Sequence, residues 1–232
     1  MALVKYGGGI IQMSGSLAGN TLARNRYGNY IRARTKPTNP NTGLQQTIRN
    51  GLAQLTARWS QTLTAAQRTA WNLYASSVSM KNRLGESTYL TGFNHYLRSN
   101  IVRLRVAAPL VDAGPVIFEL PAKDPTFAVS ASEGTQQITF TYDAAMDWAD
   151  EDDAYILFEQ GQPQNAQRNF FAGPWRHCAQ VEGANGAPPA SPKIAAVVFA
   201  VAEGQRQWAY GRISRADGRI SEVFRADTFC IA

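Results

Sequence analysis

Between Pro109 and Pro125 the chain carries four prolines, Pro109, Pro115, Pro121 and Pro125. Proline fixes φ and removes a backbone donor, so neither a regular helix nor a central strand runs through such a segment. The hydrophobic period differs on its two sides. Upstream, Leu44, Ile48, Leu52, Leu55 and Trp59 recur at spacings of four, four, three and four, which is one helical stripe weakened modestly by Gly51. Thr64 and Gln67 fit a capping box that opens a second helix with the stripe Trp71, Tyr74 and Val78. A third helix is expected from Thr91 to about Ala107, with Phe93, Leu97, Ile101 and Leu104 inward and Arg98, Arg103 and Arg105 outward. Downstream the period is two. Ile138, Phe140 and Tyr142 alternate with Thr139 and Thr141, Tyr155 to Glu159 reads as a short buried strand, and Ile194 to Ala202 is strongly apolar. Trp208 to Ser214 and Ile220 to Phe224 flank Asp217-Gly218, a hairpin signal. Six or seven strands over roughly 110 residues predict a β-sandwich of immunoglobulin-like size.

The first 38 residues contain too many glycines for a helix, including Gly7-Gly8-Gly9, Gly15, Gly19 and Gly28. Asn20 to Tyr27 and Asn29 to Lys36 are expected to pair about a turn at Gly28-Asn29. Tyr30, Arg32 and Arg34 then share one face, and Ile31, Ala33 and Thr35 the other. So small a hairpin does not bury an apolar face alone. The expected class is α+β: an extended basic arm with a β-hairpin over 1–38, a helical region over 39–110, and a β-sandwich over 115–232.

With 44% hydrophobic and 17% charged residues, the 232-residue chain is not that of a disordered protein. No stretch approaches the roughly 20 apolar residues of a membrane helix, and no membrane partner is expected. The first 15 residues lack a basic region followed by an apolar run, so no signal peptide is expected. Two cysteines, Cys178 and Cys230, make no disulfide framework. The net charge of +6 conceals a division: residues 1–110 carry +13 with Glu86 as the one acid, and residues 111–232 carry −7.

That division singles out a candidate partner-binding set: Arg24, Arg26, Tyr30, Arg32, Arg34 and Lys36. Cations interleaved with aromatics grip phosphates and stack on bases. The same residues suit an arm lying on an acidic neighbouring subunit, and a solvated face is the third reading. Glycine-rich extended backbone suits strand addition to another chain, and no known nucleic-acid-binding motif accompanies the cations, so a protein partner is preferred.

Elsewhere chemistry is sparse. The acidic run Asp147, Asp150, Glu151, Asp152 and Asp153 lacks EF-hand spacing and its central glycine, and reads as a solvated inter-strand loop. It also offers a counterpart for a neighbour's basic arm. His177 and Cys178 are adjacent in an expected strand, so they face opposite ways and form no dyad. His95 has no companion ligand, and Cys230 reads as a buried small hydrophobe. Trp59 and Trp71 read as core. Gly7-Gly8-Gly9 lacks the lysine and hydroxyl of a phosphate loop and reads as a hinge. No catalytic residue, metal ligand or cofactor is assigned, and no enzyme is expected.

Two resemblances accompany these readings. The run Trp208-Ala-Tyr-Gly-Arg-Ile-Ser-Arg-Ala-Asp-Gly-Arg-Ile-Ser-Glu222 resembles the final hairpin of fibronectin type III-like domains. Over residues 7–75, the glycine-rich start, Gly28-Asn29-Tyr30, Asn39-Pro40-Asn41-Thr42 with Gln45 and Arg49, Trp59, and Leu63-Thr64-Ala65-Ala66-Gln67-Arg68-Thr69-Ala70-Trp71 follow in an order that resembles an uncharacterised group of tailed-bacteriophage and prophage structural proteins. The resemblance implies a place, the virion, assembled in the host cytoplasm, rather than an activity. It implies a non-enzymatic structural protein whose partners are capsid, neck or tail subunits and further copies of itself. A head decoration or capsid-stabilising role is preferred; a neck or tail position and a nucleic-acid-binding protein are the alternatives.

Overall fold

The computed structural model describes residues 2–82 and 84–232. Among them are three α-helices and thirteen strands in four sheets whose ladders are all antiparallel, so the fold is mixed α+β and mostly β. The chain divides into two compact units: one runs to Leu97 and includes Val116–Phe118, and the other comprises Arg98–Pro115 and Glu119–Ala232.

The first unit opens with β1 (Ala2–Val4), β2 (Gly15–Leu17), β3 (Asn20–Asn25) and β4 (Gly28–Ala33), in the order β1-β4-β3-β2. The expected hairpin is present, and two further strands widen it. Its turn is Arg26-Tyr27 rather than Gly28-Asn29, because Asn25 pairs with Gly28 and its side chain accepts the Tyr27 N–H at 2.9 Å. Gly28 takes φ +118°, a conformation that favours glycine and closes the turn.

Helix α1 (Gly43–Ala57) starts at a capping box: Thr42 Oγ1 accepts from Gln45 N–H at 3.4 Å, and the Gln45 side chain accepts from Thr42 N–H at 3.3 Å. A wider π turn over Arg58–Thr62 follows. The expected Thr64–Gln67 box then opens α2 (Ala65–Ser77). Trp71, Tyr74 and Val78 are buried as the stripe requires, and Trp71 meets Tyr96 edge to face with centroids 5.7 Å apart. The α1 stripe is only half used. Leu55 is buried, whereas Leu44, Ile48 and Leu52 are each about half exposed or more. Two short strands, β5 (Ser79–Lys81) and β6 (Ser87–Tyr89), form a hairpin ahead of α3 (Gly92–Arg105).

The second unit contains the C-terminal part of α3 and seven strands: β7 (Ala128–Ser132), β8 (Gln137–Thr141), β9 (Tyr155–Gly161), β10 (Trp175–Glu182), β11 (Lys193–Ala196), β12 (Arg206–Ser214) and β13 (Phe224–Phe229). They make a three-stranded sheet, β11-β8-β7, and a four-stranded sheet, β10-β9-β12-β13. One core joins their inner faces. Ile138 and Phe140 of one sheet pack with Ile156, Phe158, Ala209 and Ile213 of the other, and the Phe140 and Phe158 rings stack 4.5 Å apart. Of the expected strands, that at Ile194 is shorter than its apolar run. Asp217-Gly218 does turn the chain, but Ile220 makes only an isolated bridge to Ser214, and the partner strand starts at Phe224.

The expectation for α3 is corrected. Its arginines do not all point outward: Arg103 is 1% exposed and donates to the carbonyls of Pro109 (2.5 Å), Arg215 (3.1 Å) and Asp153 (3.0 Å). Arg98 donates to the Ile220 and Ser221 carbonyls, both at 2.9 Å, and the Ser99 hydroxyl donates to the Gly218 carbonyl. The buried residues of α3 include His95, Tyr96, Ser99, Asn100 and Arg103, while Phe93, Leu97, Ile101 and Leu104 are only partly covered. A guanidinium stays charged when buried only if its donors are satisfied, and three carbonyls do so here. Val102, Val106 and Ala108 in turn cover Tyr155 and Leu157 on the outer side of β9.

Two outcomes follow. Arg103→Met leaves those carbonyls unpaired and lowers the stability of the second unit by about 3 kcal/mol or more, read by chemical denaturation; a loss below about 1 kcal/mol contradicts the pinning role. A fragment of residues 115–232 loses the cover over Tyr155 and Leu157 and unfolds at lower denaturant than one of residues 98–232.

Candidate functional site

The N-terminal sheet separates the residues that sequence places together. Side chains alternate across a strand, and the register sets Leu3, Tyr30 and Ala23 in one row and Arg32, Thr21 and Ser16 in the next, on one face. Leu22, Ile31 and Arg24 lie on the opposite face, where Leu22 is buried. Arg24 donates to Gln12 Oε1 at 3.4 Å. Arg26, in the turn, is used internally: its Nε donates to the Tyr89 carbonyl, and the Thr88 hydroxyl and Asn82 amide donate to the carbonyls of Arg26 and Tyr27 at 3.3 and 3.1 Å. The hairpin turn is therefore clamped to the β5–β6 hairpin.

Lys5 also has a partner, the one acid of the N-terminal half. It pairs with Glu86 at 2.5 Å and, with Asn82, holds that carboxyl below its usual range. Arg32 and Arg34 differ. They line a cleft of about 430 Å3 with Ser16, Thr21, Ala33, Thr35 and Pro37, and among the described residues neither has an ion-pair partner. Lys36 is exposed just beyond this cleft, and Tyr30 is half-buried on its face. Two free guanidiniums beside the Ser16 and Thr21 hydroxyls can hold carboxylate or phosphate oxygens.

A second cationic surface escaped the sequence reading. On the outer face of the four-stranded sheet the register aligns His177, Glu159, Tyr210 and Arg225 across β10, β9, β12 and β13. Glu159 is almost fully buried, pairs with Arg105, and lies 3.5 Å from His177 Nδ1. Arg212 follows Tyr210 by two residues on the same face. The alternation Arg206, Trp208, Tyr210, Arg212 carried that signal, but apolar residues define strands more visibly than the polar face does.

The remaining motifs are structural. A bulge between His177 and Ala179 turns Cys178 toward the core, where its thiol donates to the Ala196 carbonyl at 3.4 Å. Burial, with help from Glu159, pushes that thiol up to about 11. In the acidic run, Asp150 and Asp152 accept the N–H groups of Gly186 (2.6 Å) and Asn185 (3.0 Å), and Glu151 takes Arg215. Asp147 stands almost fully in solvent, 3.8 Å from Arg215. Among the described residues no group of three His, Cys, Asp or Glu is placed to hold a metal, and no helix is long and apolar enough to cross a membrane.

No family model, no curated protein and no solved structure matches the chain.

The buried acids predict alkaline sensitivity. The Cys178 thiol rises from 9.0 to about 11, and burial raises the Tyr155 hydroxyl from 10.0 to about 12. A raised acid favours the folded state in its protonated form. The contribution is therefore complete below about pH 9 and is lost as pH climbs through 11 to 12. Thiol labelling of the native chain at pH 8 should leave Cys178 unmodified, while labelling in denaturant is complete; fast native labelling would contradict the burial.

Proposed function

We propose that this chain is a non-enzymatic structural protein of a tailed-phage virion, and most narrowly a head decoration protein that attaches to the capsid through its basic N-terminal sheet. The virion assignment rests on the resemblance over residues 7–75. The observation that carries the attachment surface is the Arg32–Arg34 cleft, where among the described residues the two guanidiniums have no carboxylate partner. Residues 1–110 contain one acid, Glu86, and Lys5 already engages it. This unpaired basic excess supports an acidic partner on another chain. The edge strand β2 (Gly15–Leu17), exposed throughout and beside the cleft, offers main-chain hydrogen bonds for strand addition in the same place.

The second unit is read as a fibronectin type III/immunoglobulin-like sandwich. Its seven strands support this: the first, second and fifth form one sheet, and the third, fourth, sixth and seventh the other, around a shared core. Such a domain is a compact body for display on a particle surface.

The test is incorporation. Deleting residues 1–36 should remove the protein from purified particles while its second unit stays folded. Arg32→Ala with Arg34→Ala should keep stability within about 0.5 kcal/mol of the parent, because these side chains bond nothing internally. It should also weaken attachment and flatten its salt dependence. Normal occupancy of the truncated chain overturns the attachment surface. Particle micrographs separate a head from a neck or tail position. DNA binding by the free protein that falls steeply with salt, and is lost in the same double variant, would instead assign the cleft to nucleic acid.

A further inference from the structure

Three guanidiniums converge around Tyr210 on the outer face of the four-stranded sheet, and one carboxylate stands among them. Arg225 is its neighbour on β13 and Glu159 its neighbour on β9, while Arg212 stands two residues along β12. Arg105 reaches the group from α3. All four charges, Glu159, Arg212, Arg105 and Arg225, act on the Tyr210 hydroxyl, and Arg105 and Arg212 are near enough to repel one another. Arg105 takes Glu159. Arg212 makes no hydrogen bond or ion pair among the described residues, and its Nε is buried without an acceptor. Arg225 is exposed and lies over the face of Trp175, 5.5 Å from the ring centre.

This arrangement sets Arg212 and Arg225, which both act on the Tyr210 hydroxyl, on one sheet face with no ion-pair partner among the described residues. Burying a guanidinium donor without an acceptor is costly, and burial here disfavours the charged form of Arg212. Arg103 in the same unit shows the usual solution, with three carbonyls around its donors. Among the described residues no carbonyl does this for Arg212, and Glu159 acts on it only through its charge.

We propose that this face is a binding site for a tetrahedral oxyanion, a phosphate or sulfate group, held by Arg212 and Arg225 with the Tyr210 hydroxyl as a further donor. Guanidiniums present paired N–H donors that match phosphate and sulfate oxygens. Burial keeps the tyrosine protonated, so it donates rather than repels. Glu159 is held by Arg105, and its charge confines the anion to the Arg212–Arg225 side. Trp175, packed edge to face on Tyr210 with centroids 4.9 Å apart, walls the site beside Arg225. The anion has two possible sources: a free inorganic ion, or a phosphate ester on a larger ligand. The site does not depend on the virion reading.

Calorimetric titration of the full chain at constant ionic strength tests this, with inorganic phosphate, sulfate, glucose 6-phosphate and chloride as probes. Saturable 1:1 binding of phosphate and sulfate, without chloride binding, is expected. Arg225→Gln, at an exposed position that does not threaten folding, and Arg212→Gln should each weaken it about tenfold or more. Lys193→Gln, a change of equal charge on β11, should leave it unchanged. Glucose 6-phosphate binding at least tenfold tighter than inorganic phosphate identifies an ester as the ligand; equal affinity identifies the free ion. The proposal is overturned if no anion saturates, if chloride competes equally, or if all three variants weaken binding alike.

Discussion

Strand β9 is buried on both faces, and much of the second unit is arranged around that requirement. Every residue from Tyr155 to Gly161 is inaccessible. Ile156, Phe158 and Gln160 look inward, and the other sheet covers the two apolar side chains as in any two-layer sandwich. Gln160 is satisfied by giving and taking bonds at Val198 and Phe199. The outer face needs a second cover. Val102, Val106 and Ala108 supply it over Tyr155 and Leu157, Arg105 over Glu159, and the Phe171 ring over Gly161, where a Cβ would lie 2.4 Å from the ring. A helix end laid over a sheet face carrying a carboxylate must bring charge with it, and the arginines of α3 do so.

Sequence reading found what local rules determine. The Thr64–Gln67 cap, the buried Trp71 stripe, the strands at Ile138, Tyr155 and Trp208 and the N-terminal hairpin depend on neighbours a few residues away. Arg103 was illegible for a physical reason: arginine at helical spacing is usually a solvated face, and apart from Pro109 the carbonyls that accept from it lie 50 and 112 residues onward. The α1 stripe misled in the opposite direction, since period alone does not say whether anything arrives to cover Leu44, Ile48 and Leu52. At the basic arm, composition made one cluster of six residues, and the pleat separated it. Arg24 went to the Leu22 face, Arg26 into a clamp, and only Arg32 and Arg34 share a cleft.

The charge division has a different meaning on its two sides. The acids of the C-terminal half are largely occupied with their own backbone. Asp124 accepts the N–H groups of Thr126 and Asp143, Glu133 that of Glu203, and Asp150 and Asp152 those of Gly186 and Asn185. These carboxylates tie loops between strands. The basic excess has no comparable internal use at Arg32, Arg34 or Lys36. Net charge alone does not separate carboxylates that build loops from guanidiniums left for other molecules; the hydrogen-bond partners do.

The acceptors for α3 set an order of events during synthesis. Arg98 bonds carbonyls 122 and 123 residues further along, Ser99 one 119 residues further, and Arg103 one 112 residues further. All lie in the hairpin region near the end of the chain. While the ribosome is still making residues before about 214–221, the helix can form and meet Asp153, Tyr155 and Leu157, but the acceptors of Arg98 and Ser99 do not yet exist. Closure over such long loops is entropically costly and slow. The long-range bonds of α3 thus form only near the end of synthesis. The second unit becomes complete only when its last hairpin leaves the ribosome, which makes it a late-folding domain exposed to other apolar surfaces until then.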